Sequence, residues 1–181
     1  SQPLGCAGAP GDAGAEPRAL PPASLTRLAD DLVAVVRALG LEQPLVVGHS
    51  MGAMTAALAE ARCPGLARGL LLEDPPSPWA PLPAPPPKAA ACDKEPPPLP
   101  PWLVALRGGD PAGLAARGRR ERPAWPEDEL GPWAAAKRAV AADVGWLFSS
   151  LSEDWTRELD RVRCPVLVLA GDPARGGLLP P

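Results

Sequence analysis

Apolar residues recur at three- and four-residue spacing from Ser24 onward: Leu25, Leu28, Leu32, Val35, Val36 and Leu39, with Arg27, Asp30, Asp31 and Arg37 between them. That period predicts an amphipathic helix over about 24–39, opened by Ser24 or Ala23 and stopped by Gly40. Three short apolar runs have no such period: Pro44 to Val47, Gly69 to Glu73, and Pro165 to Ala170. They predict strands over about 44–48, 69–73 and 165–170, of the wholly apolar kind that parallel sheets bury on both faces. A helix-compatible stretch over about 51–62, ending near Pro64-Gly65, lies between the first two. Helix, strand, helix, strand in this rhythm is a parallel α/β layout with right-handed crossovers.

The remainder is less regular. Residues 1–22 are rich in Gly, Ala and Pro and read as a loop or disordered arm, and 77–101 is a proline-rich linker. Proline removes backbone donors and is excluded from helix interiors and sheet centres, so the linker is expected to be extended and solvated. Its P-x-x-P spacing could dock an SH3-type groove, but an inert connection is the favoured reading. Trp102 to Leu106 forms a short apolar patch, Gly108 to Pro126 reads as a charged loop, and helices are predicted over about 133–151 and 153–162. The arginines at 117, 119, 120 and 122 read as a solvated face rather than a phosphate clamp.

Composition narrows the function. With 28 prolines and 18 glycines among 181 residues, Pro and Gly reach about a quarter of the chain, the level at which poorly packed segments are expected. A net charge of −3 with both signs interspersed gives no field for nucleic acid and no polybasic membrane anchor. No apolar run reaches the length of a membrane span. Cys6, Cys63, Cys92 and Cys164 lie far apart and there is one histidine, which argues against a metal site. Free thiols and a cytoplasmic setting are expected.

The chemistry is concentrated in Gly48-His49-Ser50-Met51-Gly52. A G-x-S-x-G between a predicted strand and a predicted helix is a nucleophile elbow. A serine on so sharp a turn is strained, so the positions two before and two after it, Gly48 and Gly52, are expected to be small. The turn also puts the Met51 N–H at a helix start, where it can stabilise an oxyanion.

With the elbow, Ala29-Asp30-Asp31-Leu32, Leu72-Glu73-Asp74-Pro75-Pro76 and Cys164 to Asp172, the chain resembles the α/β-hydrolase family, in the branch with a single catalytic sheet and a helical cap. The resemblance covers about 24–76 and 132–180. It implies a partial α/β-hydrolase core over 23–76 and 163–181, with a cap region over 77–162. It also implies Ser50 as nucleophile and Asp172, just past the third strand, as the acid, with Asp74 as the alternative acid. No cofactor and no metal are implied, and the implied partner is a small-molecule acyl substrate, with no specific protein partner readable. The family's base histidine follows a further strand, whereas the one histidine here is His49. Its side chain diverges from that of Ser50, and packing behind the elbow is its expected role. The chain is therefore expected to be a fragment, inactive alone, of a serine hydrolase acting on carboxylic ester or related acyl bonds. The competing expectation is a non-catalytic ligand-binding or receptor-like homologue.

Overall fold

The computed structural model describes residues 23–76, 95–150, 155–175, 177 and 179. Helix α1 spans Leu25–Ala38, strand β1 Leu45–His49, helix α2 Met51–Arg62 and strand β2 Gly69–Glu73. Helices α3 (Pro101–Arg107), α4 (Pro111–Glu121), α5 (Glu127–Arg138) and α6 (Val144–Ser150) follow. A 3-10 helix at Trp155–Arg161 leads to strand β3, Val166–Leu169, and a 3-10 turn at Pro173–Arg175. The strands form a parallel sheet in the order β1-β2-β3, with Val47 opposite Leu71 and Leu71 opposite Leu167. Among the described residues this is a three-stranded parallel sheet with flanking helices, in line with the expected partial α/β layout.

Helix α1 starts where its sequence signals it. Ser24 has extended backbone and its hydroxyl accepts the Arg27 N–H at 3.1 Å, satisfying one amide of the first turn. Helix α2 is the centre of the molecule: Ala53, Ala56, Ala57, Ala59 and Ala61 are all buried. It packs against α1, β1, β2 and the 3-10 helix. Alanine suits that position because a helix enclosed on several sides must let its neighbours approach closely. An apolar cavity of about 260 Å³ lies beside it, between Leu72, Val168, Trp155 and Leu159.

Residue alternation sends Val46, Leu70 and Leu72 to the face covered by α2, with Val166 and Val168 on the same face but beyond the reach of α2 and exposed, and sends Leu45, Val47, Leu167 and Leu169 to the other. Those last four are 61, 66, 56 and 44 % exposed. The expectation of strands buried on both faces is therefore corrected. Among the described residues helices pack on one side of the sheet only, and Leu45, Val47, Leu167 and Leu169 on the other side are exposed.

The helical region also departs from expectation. The apolar patch at 102–106 is helix α3, and the supposed loop at 108–126 contains α4. Asp110 caps α4 by accepting the Gly113 N–H at 2.8 Å, and Pro111 occupies the first turn, where its missing N–H costs nothing. Gly118 lets α5 approach closely: a Cβ there would lie 3.1 Å from the Leu130 side chain and 3.3 Å from that of Trp133. Helix α5 begins before Pro132, with Glu127, Asp128 and Glu129 in its first turn favoured by the helix dipole. The stretch predicted as one helix over 133–151 is divided between α5 and α6, and within that predicted over 153–162 the described residues hold the 3-10 helix Trp155–Arg161. The arginine face is solvated as expected: Arg117 pairs with Glu121, Arg119 with Glu127, and Arg122 stacks over Trp125 at 4.8 Å. The arm over 1–22 and most of the linker lie outside the described residues. Among the described residues no helix is long and apolar enough to cross a membrane.

Glu60 was not singled out by its sequence context, yet its side chain is wholly buried. One carboxylate oxygen accepts the Gly65 N–H at 2.8 Å and the other the Ala67 N–H at 3.0 Å. The carboxylate thereby closes the turn that returns the chain from α2 to β2. Burial, and Glu60 nearby, push the Cys164 thiol above its ordinary range. Cys164 is free, as expected, whereas Cys63 is disulfide-bonded, which corrects the expectation of a free thiol at that position. Cys6 and Cys92 lie outside the described residues.

Two outcomes are expected. Sedimentation velocity of the chain will show concentration-dependent association through the exposed sheet face, reduced by the double substitution Val47→Lys and Leu167→Lys; a monomer with one cooperative unfolding transition would contradict this. Glu60→Ala, which strands one buried and one part-buried donor, will cost roughly 1–4 kcal/mol in urea unfolding at matched protein concentration, and Glu60→Gln will cost less because one oxygen still accepts.

Candidate active site

A single residue joins β1 to α2, and it is Ser50. Its backbone is at φ 52°, ψ −121°, a region that non-glycine residues rarely enter and that costs of order 1–3 kcal/mol. The turn is held from both sides: the Ser50 N–H donates to the Glu73 carbonyl at 2.9 Å, and the Ser50 carbonyl accepts the Ala53 N–H at 2.9 Å. Gly48 is required by close approach, since a Cβ there would lie 2.3 Å from the carbonyl oxygen of Gly52.

Ser50 and Ser24 each precede a helix, and they differ in one respect that matters chemically. The Ser24 hydroxyl is committed to its helix, whereas Ser50 makes no side-chain capping bond. At positive φ the Ser50 side chain is carried away from the amides of the first turn. It is half-exposed at the carboxyl edge of the sheet. The Met51 N–H stands in the first turn of α2, where amides have no intrahelical acceptor. The Thr55 hydroxyl donates to the Met51 carbonyl at 3.0 Å, adding a side-chain bond across this first turn.

Gly52 departs from expectation. It is exposed, and a Cβ there would meet nothing within 4 Å. The backbone of Gly52, not the absence of its side chain, fills the space that Gly48 leaves. His49 also departs: it is exposed at the end of β1, on the open face with Val47, and is not packed behind the elbow.

Both candidate acids reach the same edge of the sheet as Ser50, because parallel strands end together. Asp74 follows β2, the strand beside β1, and has φ 44°. Its N–H donates to the Leu169 carbonyl at 2.7 Å. Asp172 lies three residues past β3, exposed, with its carboxylate accepting the Ala174 N–H at 2.9 Å. The structure joins Asp74 to the Asp172 loop: Asp74 Oδ1 accepts the N–H groups of Gly171 and Leu179, each at 3.3 Å. This link was not legible in the sequence, where Asp74 figures only as a second candidate acid. Among the described residues no cluster of His, Cys, Asp or Glu could hold a metal ion.

Comparison with known proteins identifies this arrangement. The sequence profile of the alpha/beta hydrolase family matches residues 4–181. The chain belongs to the α/β-hydrolase family. A Haemophilus influenzae protein carrying the provisional name esterase/lipase is 43 % identical over 47 residues, which are 26 % of this chain and 16 % of that protein. Among solved structures, the N-formylmaleamic acid deformylase of Pseudomonas putida S16 aligns with a TM-score of 0.56 and 25 % identity, over 80 % of this chain and 54 % of its own. E-2-(acetamidomethylene)succinate hydrolase aligns at 0.52 and 21 % identity, over 85 % of this chain and 57 % of its own. This α/β-hydrolase chain thus spans about half the length of the solved structures it matches, and a smaller part of the curated relative.

The two elbow glycines are expected to respond differently to one methyl group. Gly48→Ala will destabilise the chain by about 1–3 kcal/mol or more, since backbone must move. Gly52→Ala will leave stability unchanged or raise it by less than about 1 kcal/mol, since alanine is the better helix former. Thermal unfolding of both variants checks the contrast, and equal losses would show that the close approach is not confined to position 48.

Proposed function

We propose that this chain carries the nucleophile and the acid of a serine hydrolase that cleaves carboxylic ester or related acyl bonds of small molecules. The observation that carries the reading is the backbone of Ser50 at φ 52° with its hydroxyl not engaged in capping α2. In this reading Ser50 Oγ attacks the acyl carbonyl and the Met51 N–H receives the oxyanion. The serine proton passes to a histidine oriented by Asp172 and from it to the departing alcohol or amine as the bond to the acyl carbon breaks, and water then hydrolyses the acyl-enzyme to free the acid and Ser50. Helices α3–α6 serve as the cap over the substrate. The names of two relatives support the bond class: one is a deformylase and the other is called an esterase/lipase.

His49 is not the base in this reading, because it lies on the exposed face of β1 rather than turned back on Ser50. No second histidine exists among the 181 residues, so the base comes from outside them. A serine hydroxyl without a base is a weak nucleophile, and this chain alone is expected to be inactive or nearly so.

A fluorophosphonate probe, with the adduct located by mass spectrometry, tests the assignment. Labelling of Ser50 is expected to rise with added free imidazole, which supplies the missing base. It is expected to vanish in Ser50→Ala and to stay within about twofold in His49→Ala. A folded chain that forms no adduct at Ser50 at any imidazole concentration would sink the nucleophile assignment and favour the ligand-binding reading.

A further inference from the structure

We propose that Asp74 is a positioning residue, and that it acts by stapling the loop that carries Asp172. This rests on the reading of Asp172 as the acid, and it divides the labour between two carboxylates that the sequence leaves as alternatives. Asp74 Oδ1 accepts from Gly171 at the start of the loop and from Leu179 at its far end. One oxygen therefore draws together two backbone amides that lie eight positions apart. The loop between them closes on itself. The Gly177 N–H donates to the Asp172 carbonyl at 3.0 Å, and a Cβ on Gly177 would lie 2.4 Å from the Gly171 carbonyl carbon.

The backbone of Asp74 is part of the same device. Its N–H continues the β2–β3 ladder by one bond, to Leu169. Its left-handed conformation then bends the chain immediately beyond the strand end, to Pro75 and Pro76. Asp and Asn are the non-glycine residues that enter this region most readily. A carboxylate already accepting two backbone amides is poorly disposed to take a third donor from a histidine ring. Asp172 makes one local bond, to Ala174, and is exposed, which leaves it accepting capacity for such a ring.

What the staple needs is an acceptor oxygen, not a charge, and this separates the two roles. Hydrogen exchange followed by mass spectrometry on the 181-residue chain, over a peptide covering 170–179, provides the readout. Asp74→Ala is expected to speed exchange in that peptide by about tenfold or more, with β1 and α2 unchanged, because two backbone amides lose their acceptor. Asp74→Asn, which keeps an amide oxygen in place, is expected to stay within about threefold of the unsubstituted chain. Equal exchange in Asp74→Ala and the unsubstituted chain would overturn the proposal, and so would an Asn variant as fast as the Ala variant. Should Asp74→Ala fail to fold, the Asn variant alone decides, since protection at 170–179 must survive in it. Exchange does not depend on Ser50. An unlabelled Ser50 with this exchange pattern intact would therefore count against the hydrolase reading and leave the staple standing.

Discussion

One residue separates the end of β1 from the start of α2, and most of the structure follows from that economy. The chain must leave a strand and enter a helix that lies back across the same sheet, and a single residue can do this only with its backbone at positive φ. Ser50 takes that conformation, and the tightness of the turn drives the backbone of Gly52 against Gly48. The strain is tolerated because both partners of the turn are heavily anchored. β1 is paired along its length with β2, and α2 is buried among α1, the sheet and the 3-10 helix. Such over-determination by surroundings is what allows an unfavourable backbone state to persist.

The far end of α2 meets the opposite problem. The chain has to turn back inside the protein, where unpaired amides are costly. Glu60 meets it with a charged side chain in an apolar setting, one oxygen on each of two backbone N–H groups. Asp74 does the same at the end of β2 with a single oxygen. Both carboxylates stand where helix or strand gives way to irregular chain, and both satisfy main-chain donors that regular structure no longer pairs. The core itself is plain, mostly alanine and leucine. Polar detail is confined to its exits.

The parts legible in the sequence were those with a clear period or a hard boundary. α1 shows a 3.6-residue repeat, the strands are short apolar runs bounded by Pro or Gly, and the elbow combines both with a fixed spacing. The helices from Pro101 to Arg138 were hidden because glycine and proline lie inside or beside them. The Asp110-Pro111 start of α4 is a helix signal, but Gly113 and Gly118 lie inside the helix, where glycine weakens the sequence pattern. Pro132 looked like a helix start and lies in the interior of α5. At the candidate site, Ser50 and Gly48 were readable from spacing alone. The bonds of Asp74 were not, because they span 97 and 105 positions, and no local pattern encodes a partner that distant. The open sheet face was missed for a related reason: an apolar strand announces what it is suited to cover, not whether anything covers it.

Ser24 and Ser50 stand at equivalent places before two helices, yet only one of them finishes its helix. The first turn of α2 is left without the side-chain acceptor that α1 receives, and its amides present partial positive charge to whatever occupies the space above them. An anionic group seated there would do for α2 what the Ser24 oxygen does for α1. Binding of such a group and completion of the central helix would then be thermodynamically linked, each favouring the other.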